Sequence, residues 1–389
     1  MSPIFVQPNR RWILLVCGFF LLAGYAFGIW YMKTGVGLGW RASQFFFNYQ
    51  DLGFVKRALV GSLLHPFPVL QTRGALVAIS WAFLLVFVGL FAVLFARKCR
   101  TLSAPKWTLL LLLCATSPAF FLRLGFDLGR FDVLGLIAVL LAFSAIERGQ
   151  PLVAGGVSAV TILAHEAYLL INLPLVAAFY WSIQGRPVRR NLRGYAGLLL
   201  PPLIVFALLT LYGRYEPGLK PLAGYFAARP AYLAACGGEV NLDAIEVLTR
   251  TYGETFAYTC RLFWEKKALL HLPIIAVWGT LMTFFLTSFY RSNGLRRDVL
   301  FYAAFSPLLL CAIASDYYRW VALAAINMFL VTILHVGQAA QTGASLKIPA
   351  GKATWLLLAT GLLGPISNTK SFPLVFLILD WLFPGKIAW

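Results

Sequence analysis

Long apolar stretches without a charged residue constrain this chain more than any other feature of its sequence. Residues 74–96 form one such stretch, which is long enough for an α-helix to cross the hydrocarbon core of a bilayer. Only 12% of the residues are charged and the mean hydropathy is +0.78, whereas soluble domains carry about 25% charged residues. Apolar residues run continuously rather than alternating, which indicates helices and not a barrel. The sequence therefore predicts an all-α polytopic membrane protein.

The apolar stretches predict about 12 transmembrane helices, within a range of 11–13, in a single membrane domain that covers residues 1–389. We find no repeat period and no linker between soluble domains. The predicted spans lie near residues 12–32, 74–96, 107–122, 132–146, 152–165, 167–183, 195–213, 268–290, 299–315, 319–337, 354–368 and 371–385.

The net charge of +19 is explained by topology. If the N-terminus is cytoplasmic, the cytoplasmic segments hold 16 Lys and Arg but only two acidic residues, and the opposite side holds 11 of the 14 acidic residues. This is the positive-inside pattern of membrane proteins. Nucleic-acid binding would need the basic residues on one exposed domain, which the sequence lacks. The first span lacks a cleavage pattern and predicts insertion in an inner (plasma) membrane, with bacterial origin suggested by the compact loops.

Two outer segments are long enough to carry function. Residues 33–73 are amphipathic, and we expect them to form interfacial helices. In residues 213–267, Gly and Pro separate short helices that we expect to cap a site. This second segment also contains Cys236 and Cys260, and the sequence leaves open whether they form a disulfide.

Ionisable side chains near the membrane are costly and are usually functional or paired. On the predicted topology they fall at four places on the outer face. Local pairing is an open alternative for several, because Arg123 and Asp127 are spaced i,i+4, as salt bridges along a helix are. Asp51 has its nearest cations five and six residues away, too far for such a pair, which favours a functional role. The four places are Asp51 with Lys56 and Arg57; Arg123, Asp127, Arg130 and Asp132; His165 and Glu166; and Asp316 and Arg319.

With these residues laid out, the chain resembles the GT-C superfamily of membrane glycosyltransferases through roughly its first two-thirds. Members have a first span, a long outer loop with interfacial helices and an essential acidic residue, and then many further spans. The sequence "NYQDLGFVKRALVG" falls where that acidic residue is expected, and Asp51 matches it. Arg130, Asp132, Glu166 and Arg319 correspond by position to later acids and cations of the family.

The resemblance implies that a sugar passes from a polyprenyl-phosphate donor to a lipid or glycan acceptor on the extracytoplasmic face. Asp51 would be the general base and the anomeric carbon would be inverted. Phosphate is a good leaving group, so no acid is needed to protonate it. No cofactor is required, and a divalent cation on Asp127 and Asp132 is left open. The candidate phosphate-binding residues are Lys56, Arg57, Arg130 and Arg319, and the candidate acceptor-binding residues are Asp127, Asp132, His165, Glu166 and Asp316.

Other functions remain open. A polysaccharide polymerase or ligase that uses undecaprenyl-diphosphate-linked glycans would have a similar number of spans and a similar outer loop. A lipid or sugar transporter would place its charges at the midplane of the membrane, in paired halves. An O-acyltransferase acting through His165 and a purely structural membrane subunit are further alternatives.

Overall fold

The computed structural model describes residues 38–117, 119–185, 191–265, 272–314, 316–341 and residue 347. All regular elements of this part of the chain are helices, as predicted. Short 3₁₀ helices span Gly39–Phe45, Pro68–Gln71 and Ser306–Ala312. The α-helices are α1 Tyr49–Leu52, α2 Leu59–Leu64, α3 Arg73–Lys98, α4 Ala104–Thr116, α5 Phe121–Phe126, α6 Asp132–Glu147, α7 Pro151–Ala164, α8 Tyr168–Ile171, α9 Leu173–Gln184, α10 Leu192–Tyr212, α11 Leu219–Ala227, α12 Pro230–Cys236, α13 Leu242–Glu246, α14 Tyr252–Glu265, α15 Leu272–Ser292, α16 Val299–Ala303 and α17 Tyr317–Gln341.

Three helices in the described ranges are long and apolar enough to cross a membrane: α3, α10 and the part of α17 that spans Tyr317–Ala339. This finding indicates a membrane protein, while the count of about 12 spans stays a prediction. In the most apolar 18-residue stretch of α3 and of α10, 28% of the residues are buried, whereas in α17 the share is 94%. The spans predicted at 12–32, 354–368 and 371–385 lie outside the described residues.

Three predicted spans contain a break in the helix, and each break lies next to a proline. In the predicted span 107–122, α4 ends at Thr116 and Ser117 is extended (φ −58°, ψ 128°), because the residue before Pro118 avoids the α conformation. The predicted span 167–183 divides into α8 and α9, and Pro174 stands at the start of α9. The predicted span 299–315 divides into α16 and a 3₁₀ helix that begins at Ser306, just before Pro307.

Helix α7 packs between α6 and α10, and its contact with α10 is especially close. A Cβ atom added at Gly155 would lie 2.3 Å from the carbonyl oxygen of Gly197 on α10. The absence of a side chain at Gly155 therefore sets the distance between the two helices. At its C-terminal end α7 stops at Ala164, and His165 adopts an extended conformation. Two adjacent polar residues, His165 and Glu166, thus stand at a helix break inside the bundle.

Side-chain caps begin several of the short helices in the two predicted outer segments. Asn48 accepts a hydrogen bond from the backbone N–H of Asp51 (2.8 Å) at the start of α1, and Asn241 accepts one from Ala244 (2.8 Å) at the start of α13. Both segments contain short helices, while their predicted places in the interface and over a site stay predictions. Cys236, at the end of α12, is a free thiol and is not bridged to Cys260.

Candidate active site

A cavity of about 700 Å³ lies where the first outer segment, the α5–α6 turn, the α7–α8 break and the start of α17 meet. Its wall contains five Lys or Arg residues and three carboxylates. Apolar and aromatic side chains, among them Leu169, Phe206 and Leu310, complete the wall. The ionisable residues of the wall are Lys56, Arg57, Arg130, His165, Glu166, Asp243, Arg250, Asp316 and Arg319.

The first outer segment supplies Arg57 to the cavity. Its backbone is in the left-handed region (φ 63°), which no other non-glycine residue of the described ranges adopts. The guanidinium group donates to Glu166, with Nε 3.0 and 3.1 Å from the two carboxylate oxygens and Nη2 2.5 Å from Oε1. This bidentate ion pair fixes Arg57 against the α7–α8 break. The same residue has an unfavourable backbone conformation at the cavity wall.

The turn between α5 and α6 carries a buried ion-pair network. Asp132, the first residue of α6, accepts a hydrogen bond from Arg123 (2.8 Å), and both side chains are almost fully buried. Asp127 accepts a hydrogen bond from Arg41 of the first 3₁₀ helix (2.8 Å) and lies 3.5 Å from Arg123. These pairs join the first outer segment to the turn directly behind the cavity wall.

Arg319, near the start of α17, connects this network to the cavity. It donates to Asp132 through Nη2 (2.6 Å) and Nε (2.9 Å), and its Nη1 lies 3.4 Å from Asp316. Its Nη2 also lies 3.2 Å from Nε2 of His165. One guanidinium group thus contacts three parts of the chain that are far apart in sequence.

Arg130 and Asp316 form an ion pair at the cavity wall. Nη1 of Arg130 lies 3.1 Å from Oδ2 of Asp316, and the guanidinium group stacks 4.7 Å from the centre of the Trp40 ring. The side chain of Asp316 is 27% exposed, against 9% for Glu166 and 2% for Asp132. Among Glu166, Asp132 and Asp316, Asp316 is the carboxylate that a bound molecule reaches most easily.

The second outer segment forms another part of the wall through α13 and α14. The ammonium group of Lys56 donates to the backbone carbonyl of Arg250 (2.6 Å) and lies 5.0 Å from the centre of the Tyr252 ring. Burial lowers the pKa of Lys56, and the charge of Glu166 opposes that shift. The Arg250 guanidinium group stacks 3.6 Å from the Tyr258 ring. The two outer segments therefore contact each other at the cavity.

Asp51 is not among the residues that line this cavity. Its Oδ2 accepts hydrogen bonds from the hydroxyl of Tyr225 (2.7 Å) and from Arg229 (2.6 Å), and it lies 3.5 Å from Nδ1 of His65. Partial burial raises the pKa of Asp51, but hydrogen bonds from Tyr225 and Asn48 and the nearby charges outweigh it and hold the pKa below its ordinary value. Asp51, the predicted general base, therefore lies apart from the candidate residues that line the cavity.

The structure brings most of the predicted residues together. The predicted phosphate-binding residues all line the cavity, as do His165, Glu166 and Asp316, while Asp127 and Asp132 lie in the network behind the wall. The local pair Arg123–Asp127 exists, but Arg123 has a shorter contact with Asp132. Sequence reasoning missed several residues of the site, among them Arg41, Arg250, Trp40 and Gln44, although Arg41 is a charge directly beside an aromatic residue.

Asp127 and Asp132, for which the sequence left open the binding of a divalent cation, are both paired with arginines. Asp127 accepts from Arg41, and Asp132 accepts from both Arg123 and Arg319. In the described part of the chain, no group of three or more His, Cys, Asp or Glu side chains is arranged to hold a metal ion. A divalent cation at these two carboxylates would have to compete with guanidinium groups.

No family model, no characterised protein and no solved structure matches the chain. The chemistry of the cavity is therefore the basis of the function proposed below. Its wall offers many hydrogen-bond donors of fixed positive charge, a few carboxylates and a large apolar surface. Such a wall suits an amphiphilic anion.

Proposed function

We propose that this chain is a membrane glycosyltransferase, with a GT-C-like arrangement of about 12 spans, that uses a polyprenyl-phosphate sugar as donor. The observation that carries the proposal is the composition of the cavity wall, which combines several guanidinium groups with a broad apolar surface. A polyprenyl-phosphate sugar has the matching parts, namely a phosphate, a sugar and a hydrocarbon tail. The reaction takes place on the extracytoplasmic face of a bacterial inner membrane, which is the side that the positive-inside pattern assigns to these residues.

The phosphate is bound by the arginines of the wall. Arg57, Arg130 and Arg319 all line the cavity, and a guanidinium group can bind phosphate through two parallel hydrogen bonds. Positive charge held in a largely apolar cavity stabilises the negative charge that develops on the departing phosphate. Arg319 is fixed by Asp132, so it is positioned before the donor binds.

The hydrocarbon tail leaves the cavity beside α10. Phe206 lies on this helix and lines the cavity, while neighbouring residues of α10 such as Ile204 are exposed on its outer surface. Since α10 is long and apolar enough to span a membrane, lipid would contact it directly. The tail can therefore remain in the bilayer while the phosphate and sugar occupy the cavity.

A carboxylate in the cavity acts as general base on the acceptor hydroxyl. The proton passes to the carboxylate, the acceptor oxygen bonds to the anomeric carbon, and the bond between that carbon and the phosphate oxygen breaks with inversion. Asp316 fits this role best because it is the accessible carboxylate beside Arg130 and Arg319. The sequence-based alternative, Asp51, would need an acceptor bound outside the cavity.

The test is turnover of polyprenyl-phosphate hexoses by the purified protein in lipid nanodiscs. We expect Asp316→Asn to lower kcat by about 100-fold or more, the usual contribution of a general base, while Asp51→Asn keeps kcat within a few-fold of wild type. Glu147→Gln, which changes a carboxylate that does not line the cavity, is the matched control. Equal activity of wild type and Asp316→Asn would remove Asp316 from the mechanism, and loss only in Asp51→Asn would restore the sequence prediction. No turnover of any monophosphate donor with any acceptor would contradict the proposed function.

A polymerase or ligase that uses diphosphate-linked glycans is the second candidate. The observation in its favour is that Arg250 and Lys56 add to the three arginines named above, which is enough positive charge for two phosphates. Consumption of a diphosphate-linked oligosaccharide, with no reaction of monophosphate donors in the same nanodiscs, would favour this candidate.

A further inference from the structure

Several residues of the cavity wall offer hydrogen-bond acceptors and carry no positive charge. We name this group the acceptor wall and define it by Gln44, Asp243, Thr255 and Thr259, all of which line the cavity. Thr255 and Thr259 are four residues apart on α14 and therefore share one face of that helix. The sequence-based candidates include none of these residues.

The two threonines use their hydroxyl hydrogens within the protein. Thr255 donates to the backbone carbonyl of Thr251 (2.8 Å), and Thr259 donates to the carbonyl of Ile313 (3.2 Å). A hydroxyl has one hydrogen and two lone pairs, so each threonine keeps acceptor capacity and loses its capacity to donate. Asp243 carries a carboxylate, which when ionised also only accepts.

Gln44 gives independent evidence for a ligand. Gln44 is only 8% exposed and lines the cavity, yet its side-chain oxygen Oε1 has no hydrogen-bond partner among the described residues. Burying an amide oxygen without a partner is unfavourable, and such atoms are rare in folded proteins. A donor from a bound molecule would satisfy this atom.

The acceptor wall and the guanidinium groups select different parts of one molecule. Guanidinium groups only donate, so they bind phosphate, whereas the acceptor wall needs a partner that brings several O–H donors. We propose that the acceptor wall binds the hydroxyls of a sugar ring and thereby determines which sugar the protein accepts. This inference rests on the proposed function and adds to it the residues that determine sugar specificity.

The experiment measures equilibrium binding to the full chain in nanodiscs, with bare polyprenyl phosphate and polyprenyl-phosphate glucose, mannose and galactose as probes. We expect wild type to bind at least one hexosyl lipid more tightly than the bare lipid. Gln44→Leu and Thr255→Val should each weaken binding of that hexosyl lipid about fivefold, the size of one neutral hydrogen bond, and leave the bare lipid unchanged. Thr280→Val, an exposed threonine on α15, is the matched control.

A second titration identifies the source of the sugar. A neutral alkyl glucoside is added to protein saturated with bare polyprenyl phosphate, so that only an acceptor-like sugar is available. Weakening of this binding by Thr255→Val would support the acceptor wall and assign it to the acceptor, whereas an effect on the hexosyl lipids assigns it to the donor.

The outcomes separate the inference from the proposed function. Suppose that wild type binds the bare lipid but binds neither the hexosyl lipids more tightly nor the alkyl glucoside, or that both variants bind these sugars as tightly as wild type does. The acceptor wall then does not bind sugar, while phosphate binding by the cavity stands. If neither the bare nor the hexosyl lipids bind, the proposed function fails and this inference fails with it. Thermal melting of each variant confirms the fold, and Thr255→Val serves if Gln44→Leu does not fold.

Discussion

Replacing Asp132 by asparagine tests whether the buried network holds the bundle together. Asp132 is almost fully buried and accepts hydrogen bonds from Arg123 and Arg319. Asparagine has nearly the same size and keeps one acceptor oxygen, so the change removes the charge without leaving a cavity. Two buried guanidinium groups then lose a shared counterion.

The expected loss of stability follows from the contacts that remain. Removing one partner of a buried ion pair costs about 3–5 kcal/mol, because the other charge is left uncompensated. Here each arginine keeps a second carboxylate, since Arg123 lies 3.5 Å from Asp127 and Arg319 lies 3.4 Å from Asp316. We therefore expect a value near the lower end, about 3 kcal/mol.

The assay is reversible equilibrium unfolding in mixed micelles, with Glu147→Gln as the control. Glu147 pairs with Arg97 and Lys98, and the side chain of Arg97 is 55% exposed, so this change should cost less than about 1 kcal/mol. If Asp132→Asn loses no more free energy of unfolding than Glu147→Gln, the argument that the network stabilises the fold is refuted.

Three further predictions concern close packing, backbone conformation and pH. Gly155→Ala should lower the free energy of unfolding by about 1–3 kcal/mol because its Cβ would meet the backbone of α10, whereas Gly156→Ala, where nothing lies within 4 Å, should not; equal effects would refute the close contact. The free energy of unfolding should be about 1 kcal/mol higher for Arg57→Gly than for Arg57→Ala, because glycine adopts φ 63° without steric cost. A higher free energy of unfolding for Arg57→Ala would contradict the left-handed conformation. Hydrogen bonds and charges hold the pKa of Asp51 below its ordinary value, so its stabilising effect should be complete above about pH 5 and disappear as the pH falls through the folded-state pKa. Melting of wild type and Asp51→Asn across pH measures this, and a difference that grows at low pH would contradict it.

The apolar stretches predicted most of the long helices in the described ranges to within a few residues, but not where they break. A proline weakens a helix without always ending it: α10 contains Pro201 and Pro202 and continues, whereas α4 stops two residues before Pro118. Tertiary packing decides between these results, and a sequence pattern carries no information about it.

The same limit explains the ion pairs. Sequence spacing shows only local partners, so it left a pair between Arg123 and Asp127 open, while the shorter contact from Arg123 to Asp132 depends on the turn between α5 and α6. Asp51 had no cation at helical spacing, yet it pairs with Arg229, which is 178 residues away along the chain. That the costly charges would gather was predictable from their chemistry, whereas their pairing required the fold.

The enclosure of α17 has a consequence for the order in which the molecule is assembled. The ribosome synthesises α17 after α3 to α16, so the helices that surround α17 are made before it is present. During that interval Asp132 lacks Arg319, one of its two partners, and Arg130 lacks Asp316. When α17 packs against its neighbours, Asp132 gains Arg319 and Arg130 gains Asp316 in the same step. Nascent chains halted before Asp316 should therefore be recognised as incomplete and degraded, even though they already contain the long apolar helices α3 and α10.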